Sequence, residues 1–328
     1  MAKVSVIVPV YNSENTLVNA VGCLINQTLK DIEIVLVNDA STDNSWTIMQ
    51  LLEERFPNNI MIINSTVNQG AGGARNIGLS YATGDYIGFM DADDIVDTTM
   101  YEKLYNEAIR TGYDIIDCGF YKEADDLAII FTSDELSGKL TPHKRNELIS
   151  SGGYIVTKLF KRDYLYSHDF TFRHNVILED SEIIAYAMAT AESIGNVKEV
   201  LYIYKDYSDS SSKIIEPTKY YNSCYNAMTA IYEKLSVLPN YNDIRESVEY
   251  EMLQMYSYTI NCLLANKNNN SKEDIISKLE VLRDFRLRNI TKGYDNKYVR
   301  NKISNKDIEL MMQNDASAIR LYDKVMIK

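Results

Sequence analysis

The N-terminal part of the chain alternates between two hydrophobic periodicities. Residues 4–10 form a continuous apolar, β-branched run ending around Pro9, and residues 32–37, 60–63, 86–90 and 114–121 repeat that character. Between them, residues 14–26 carry Leu17, Val21, Leu24 and Ile25 at helical spacing, and residues 44–55, 74–81 and 100–109 also read as helices. Short strands that are apolar on both faces and separated by helices predict an α/β fold with a mostly parallel sheet covered on each side. Ligands of such sheets lie beyond the carboxyl ends of the strands. The unusual polar clusters fall on that edge: Pro9-Val10-Tyr11-Asn12, Asn38-Asp39, Asn68-Gln69-Gly70 and Asp91-Ala92-Asp93 follow the first four strands in turn. From about Ile215 helical patterns dominate, broken by the polar run 266–270, which predicts a first domain over 1–214 and a helical region over 215–328.

With 328 residues, 45% hydrophobic and 24% charged, the chain has the composition of an ordinary soluble protein able to bury a large core. No window approaches the roughly 18 apolar residues of a membrane span. Met1-Ala2-Lys3-Val4 runs into a strand pattern with no signal-peptide character. Cys23, Cys118, Cys224 and Cys262 are widely spaced and read as thiols of a reducing compartment, so the expected location is the cytoplasm. A net charge of −12 argues against nucleic acid as the main partner.

One stretch departs from that balance. Between Arg283 and Lys306 stand eight basic residues against two acidic ones, readable as peripheral docking at the inner face of a membrane, as a solvated helical face, or as a self-association surface. The helix expected over 246–264 either packs on the first domain or makes a homo-oligomer. Tyrosine is abundant, 25 residues against 8 Phe, and offers a stacking face with a hydroxyl that suits sugar and nucleotide surfaces as well as the core.

The chemistry concentrates in three places. Asp91, Asp93 and Asp94 crowd into four positions after a buried strand, where like charges repel and shift each other's pKa. A divalent cation such as Mg²⁺ or Mn²⁺ between carboxylates and substrate phosphates would relieve that repulsion. A turn followed by a helix cap at Asp94 or Asp97 is the structural alternative. Gly70, Gly72 and Gly73 free the backbone before a helix whose first turn carries Arg75, an arrangement suited to anions. No Gly-Lys-Ser/Thr ending follows, which excludes a P-loop, and no GxGxxG follows Val10. Glu179-Asp180 opens an apolar helical run, where a helix N-terminus lowers a carboxylate's pKa and burial raises it. Capping by both residues is again the alternative. His143, His168 and His174 have no matching nucleophile and read as surface or structural residues.

These blocks, from 4–12 through 37–43, 68–78, 91–94 and 179–180, occur in an order and spacing that resembles family 2 glycosyltransferases of the GT-A fold over about residues 3–212. The resemblance implies an inverting, metal-dependent transfer of a sugar from a UDP-sugar to a glycan, lipid-linked or teichoic-type acceptor. It gives the nucleotide to Pro9, Tyr11, Asp39, Asn68, Gly70, Arg75, Asp91, Ala92 and Asp93, with Asp39 reading uracil. It makes Asp93 the direct ligand of Mn²⁺ or Mg²⁺, and Asp91 a contact to ribose or sugar and a member of the metal set. It implies Asp180 as the general base with Glu179 as its support; where relatives usually carry Arg this chain has Lys205 and Asp206, expected as a diphosphate contact and a further metal ligand. Asp94 is read as a helix cap, and His174 stands where relatives often have Glu. The rivals are an inactive nucleotide-sugar or glycan-binding module and a nucleotidyltransferase; the latter is disfavoured because Pro9-Val10-Tyr11-Asn12 replaces its glycine-rich loop.

Overall fold

The apolar β-branched run Val4–Val10 forms β1, and every residue of it but Pro9 is fully buried. It lies between β2 (Ile32–Asp39) and β4 (Tyr86–Phe89), parallel to both. Pro9 sits beyond Ile7↔Phe89, the last pair with β4, so its missing N–H removes no ladder bond on that side. The structure, a computed structural model, describes residues 2–205, 217–265 and 271–326. Asp206 and the boundary expected between residues 214 and 215 therefore lie outside the described residues.

The remaining strands are β3 (Ile60–Ser65), β5 (Ile95–Val96), β6 (Ile115–Lys122), β7 (Leu127–Ile129), β8 (Gly138–Lys139), β9 (Lys158–Lys161) and β10 (Ser193–Tyr204). Among the described residues the sheet has ten strands, eight of them in the order β3-β2-β1-β4-β9-β6-β10-β5, with β7 paired to β6 and β8 to β10. The long pairings, β1 with β2, β2 with β3 and β6 with β10, are parallel. β9 runs antiparallel between β4 and β6, so the sheet is mixed at its centre rather than uniformly parallel. Helices α1 (Leu17–Ile25), α2 (Ser45–Arg55), α3 (Gly70–Tyr81) and α4 (Met100–Thr111) follow the first strands. α4 stops at Gly112, whose φ of 70° supplies the left-handed C-terminal residue.

The chain separates into two compact units, Met1–Thr141 with Gly152–Ser210, and Pro142–Ser151 with Ser211–Lys328. Beyond the elements named, the first unit holds α6 (Arg162–Ser167) and α7 (Ser181–Thr190). The second contains α5 (Pro142–Ile149), α8 (Pro217–Leu235), α9 (Tyr241–Ala265), α10 (Lys272–Asn289), α11 (Lys297–Lys302) and α12 (Asn305–Met326). α9 is its axis, burying Ile244, Val248, Met252, Leu253, Tyr256 and Ile260. α5 joins it through Asn146, whose amide donates to the Asp243 carbonyl at 2.7 Å.

Most of the basic run 283–306 is engaged inside this second unit. Arg286 pairs with Asp315 at 3.2 Å, Lys292 with Glu246 at 3.0 Å and Arg288 with Asp284 at 2.7 Å. Arg300 pairs with Asp295, and Lys302 reaches Glu147 at 3.6 Å. Among the described residues no helix is long and apolar enough to cross a membrane.

Candidate active site

The carboxyl ends of β1, β2 and β4 open onto one rim. At β1 the chain turns through Tyr11, 49% exposed, and Asn12, whose φ is +48°. Asn12 is tied to the exit of β2: its amide N–H donates to Ser41 Oγ at 3.1 Å and its Oδ1 accepts from Thr42 N at 2.8 Å. Asp39 ends β2, is nearly fully buried, and accepts the Gln69 N–H at 2.8 Å. Burial raises its pKa, while the Gln69 and Gly70 N–H groups and nearby His174 oppose the rise. Asp39 thus bridges two strand exits rather than forming a local Asx turn.

The glycine block differs from the sequence reading. The helix begins at Gly70, not Ala74, so the glycines are its first turn and Arg75 lies in its second. They serve close packing against the segment that leads to Asp180. A Cβ on Gly72 would stand 2.1 Å from the Arg173 carbonyl oxygen, and one on Gly70 would meet Asn175 N at 3.2 Å, where φ is already +74°. Asn175 N donates to the Gln69 carbonyl at 2.7 Å, and Asn76 exchanges hydrogen bonds with the Phe172 backbone at both its N–H and its C=O. Asn68 Oδ1 accepts from Gly70 N at 3.2 Å.

Arg75 is only 4% exposed, so its ion pairs are buried rather than on the surface. Its guanidinium joins two blocks distant in sequence, donating to Asp91 Oδ1 at 2.8 Å and to Glu179 Oε1. Its Nε is buried with no hydrogen-bond partner. Glu179 is therefore held by Arg75 and not by a helix N-terminus. Asp180 occupies the N-cap position of α7 but makes no side-chain cap bond. Its pKa is pushed up to about 7, first by burial, then by Glu179; Arg75 opposes and Asp91 adds to the rise. The approach is strained, since Asn175 and Leu178 both have positive φ (56° and 60°). Arg173 grips it, donating to the Leu178 carbonyl at 2.7 Å and to both carboxylate oxygens of Glu182.

In the aspartate cluster Ala92 is buried, and Asp93 is pushed up to about 6 by burial and then by Asp91. Asp94 caps no helix. A short strand, β5, intervenes before α4, and Asp94 accepts from Tyr202 Oη at 2.6 Å and from Lys205 N at 2.9 Å. Asp97 meets the start of α4 instead, accepting from Thr99 N at 2.8 Å. The Lys205 ammonium pairs with Glu123. Among the described residues no three His, Cys, Asp or Glu side chains converge on a metal position. The donor set nevertheless fits a hard divalent ion: Asp93 is a crowded, uncompensated carboxylate, and such ions bind through one or two carboxylates plus substrate phosphates and water.

His174 Nε2 lies 3.0 Å from Asn76 Nδ2, and its ring is close enough to Asp39 to act on that carboxylate. His168 Nδ1 lies 3.0 Å from the Tyr164 carbonyl, a structural contact. Sequence reasoning missed Tyr202 and Arg173, which position Asp94 and the Asp180 loop; their partners lie too far along the chain or in an irregular loop to be read locally.

The mixed sheet is of the GT-A type, with acidic groups at its rim, and the chain is similar in sequence and in fold to glycosyltransferases. The model of glycosyl transferase family 2 matches residues 5–169, half of the chain, and the protein belongs to that family. It is 34% identical over 222 residues to the uncharacterized glycosyltransferase EpsJ of Bacillus subtilis, covering 64% of this chain and 63% of EpsJ. It is 32% identical over 218 residues to the minor teichoic acid biosynthesis protein GgaB of the same organism, covering 63% of this chain but 23% of GgaB. In structure it resembles S. aureus TarS residues 1–349 in complex with UDP-GlcNAc, with a TM-score of 0.74 at 20% identity over 98% of this chain and 89% of that one.

Proposed function

We propose that the chain moves a sugar from a UDP-sugar to a hydroxyl of a glycan, lipid-linked or teichoic-type acceptor, with inversion at the anomeric carbon. The observation that carries this reading is the acidic cluster gathered on Arg75, with Asp180 beside it at a proton affinity near neutrality. A base for a hydroxyl works best with a pKa close to the working pH. Asp180 takes the acceptor proton as the acceptor oxygen forms its bond to the anomeric carbon. The bond from that carbon to the UDP oxygen breaks and its electron pair leaves with UDP, so one displacement inverts the centre. Asp39 accepts from the uracil N–H, and the exposed ring of Tyr11 covers the base. Arg75 fixes Asp91 and Glu179 and keeps the rim from carrying a row of unpaired negative charges. Asp93 with Asp91 would hold a Mn²⁺ or Mg²⁺ ion, which would supply charge neutralisation for the diphosphate.

The choice of donor is supported by the TarS complexes with UDP-GlcNAc and UDP, and the acceptor class by the teichoic acid relative. Titration calorimetry with UDP and Mn²⁺ tests the reading. Wild type should bind UDP in a metal-dependent way and Asp93→Ala should lose that dependence. Equal, metal-independent affinity in both proteins refutes the metal role. Failure of the wild type to release UDP from any member of a UDP-sugar panel refutes the activity.

A further inference from the structure

The first unit contains a buried charge network that the proposed chemistry leaves unused. Lys158 and Asp117 are each 1% exposed and pair at 3.1 Å. Asp117 also accepts from Thr157 Oγ1 at 2.7 Å and from Thr132 Oγ1 at 2.8 Å, so both its carboxylate oxygens are hydrogen-bonded. A buried pair of this kind offers little net stability over apolar packing. Its remaining hydrogen bonds show what it holds. Lys158 Nζ donates to the backbone carbonyl of Tyr154 at 3.2 Å and to Thr157 Oγ1 at 3.2 Å, and the Lys158 ammonium lies over the Phe131 ring. Gly153 stands at φ +145° immediately before, where a Cβ would come within 3.0 Å of that ammonium.

The network fixes the backbone that carries an aromatic ring facing solvent. Tyr154 is 40% exposed, its ring centroid 4.6 Å from that of Phe120 and 5.4 Å from that of Phe131, edge-on to the latter. Phe120 in turn stacks on Tyr202, the residue whose hydroxyl donates to Asp94. An aromatic path thus runs from the aspartate cluster to an exposed tyrosine. Tyr154 also lies within the electrostatic reach of Asp180: its hydroxyl is raised first by burial, then feels Lys122 in opposition and Asp180 and Tyr204 in support.

We propose that Tyr154, held by the Lys158–Asp117 network, is the platform on which a pyranose ring of the acceptor stacks, presenting its hydroxyl to Asp180. A sugar ring offers the apolar C–H face that a fixed aromatic surface takes up; a linear polyol phosphate offers none. The inference rests on the donor and base assignments above and narrows the acceptor to a glycoside.

Saturation-transfer NMR in the presence of UDP and Mn²⁺ tests it. The probes are methyl β-D-glucopyranoside, methyl β-D-galactopyranoside and methyl N-acetyl-β-D-glucosaminide, with ribitol 5-phosphate as the polyol control. At least one glycoside should receive saturation on its ring protons in the wild type. Tyr154→Ala should weaken that binding by about ten-fold, the worth of one aromatic stacking contact, while Tyr154→Phe retains it. UDP affinity, measured alongside, should be the same in all three proteins, which shows that they are folded. Unchanged glycoside binding in Tyr154→Ala overturns the proposal, as does binding of ribitol 5-phosphate alone or of no probe. Loss of UDP binding in the wild type overturns the donor reading and this inference with it, and is a distinct result.

Discussion

Asp180 lies among Glu179, Asp91, Arg75 and Tyr154, and in the proposed mechanism the balance of these groups decides when it can act. Its raised pKa means that the ionised, proton-accepting form appears as pH rises through about 7. The transfer rate should therefore climb through neutrality and level off in mild alkali; a profile flat from pH 5 to 9 would contradict a base with this pKa. Glu179→Gln removes the neighbouring charge that raises Asp180 and frees Arg75, which lowers it. That substitution should move the rising limb of the pH–rate curve to lower pH. An upward or absent shift would show that Glu179 does not act on Asp180 through charge.

At the scale of elements, the junction of α3 with the 172–180 segment governs the site. Gly72→Ala would drive a methyl group into the Arg173 carbonyl at 2.1 Å, and backbone on both sides must move. The expected cost is about 1–3 kcal/mol of stability together with reduced turnover, because Glu179 is displaced from Arg75. Thermal melting and steady-state assay would detect both; a fully active, unshifted variant would deny the coupling. This junction was only partly legible in the sequence. The strand runs and the acidic residues at their ends follow local periodicity, so the rim and its residues could be placed from the chain alone. The glycines could not be interpreted, because closeness to an anion and closeness to another loop demand the same missing side chain. Arg75 meets Glu179 across 104 residues, and Asp94 meets Tyr202 across 108, so neither partner was readable. β9 is four residues long with lysine at each end, and its Lys158 reads as a surface residue although it is buried.

For the whole molecule, the acidic net charge of −12 and the basic run 283–306 coexist because the second unit pairs its cations with its own carboxylates. Glu249 is the central example on α9. Buried beside Arg245, it accepts from the Thr291 and Lys292 N–H groups at 3.0 Å and 3.1 Å and from Thr291 Oγ1 at 2.8 Å. Glu249→Ala should destabilise the protein by about 2–4 kcal/mol by stranding two backbone donors, visible as a lowered Tm; an unaltered Tm would show that these bonds are replaced by water.

Sugar transfer by the proposed displacement requires Asp180 as its proton acceptor. Asp180→Asn changes one oxygen to nitrogen and removes the basic site while keeping its volume. Transfer by this variant, measured as acceptor-dependent UDP release, should fall by about 10²–10⁴-fold, while UDP affinity by calorimetry stays at the wild-type value. Near-normal turnover in Asp180→Asn would contradict the assignment outright.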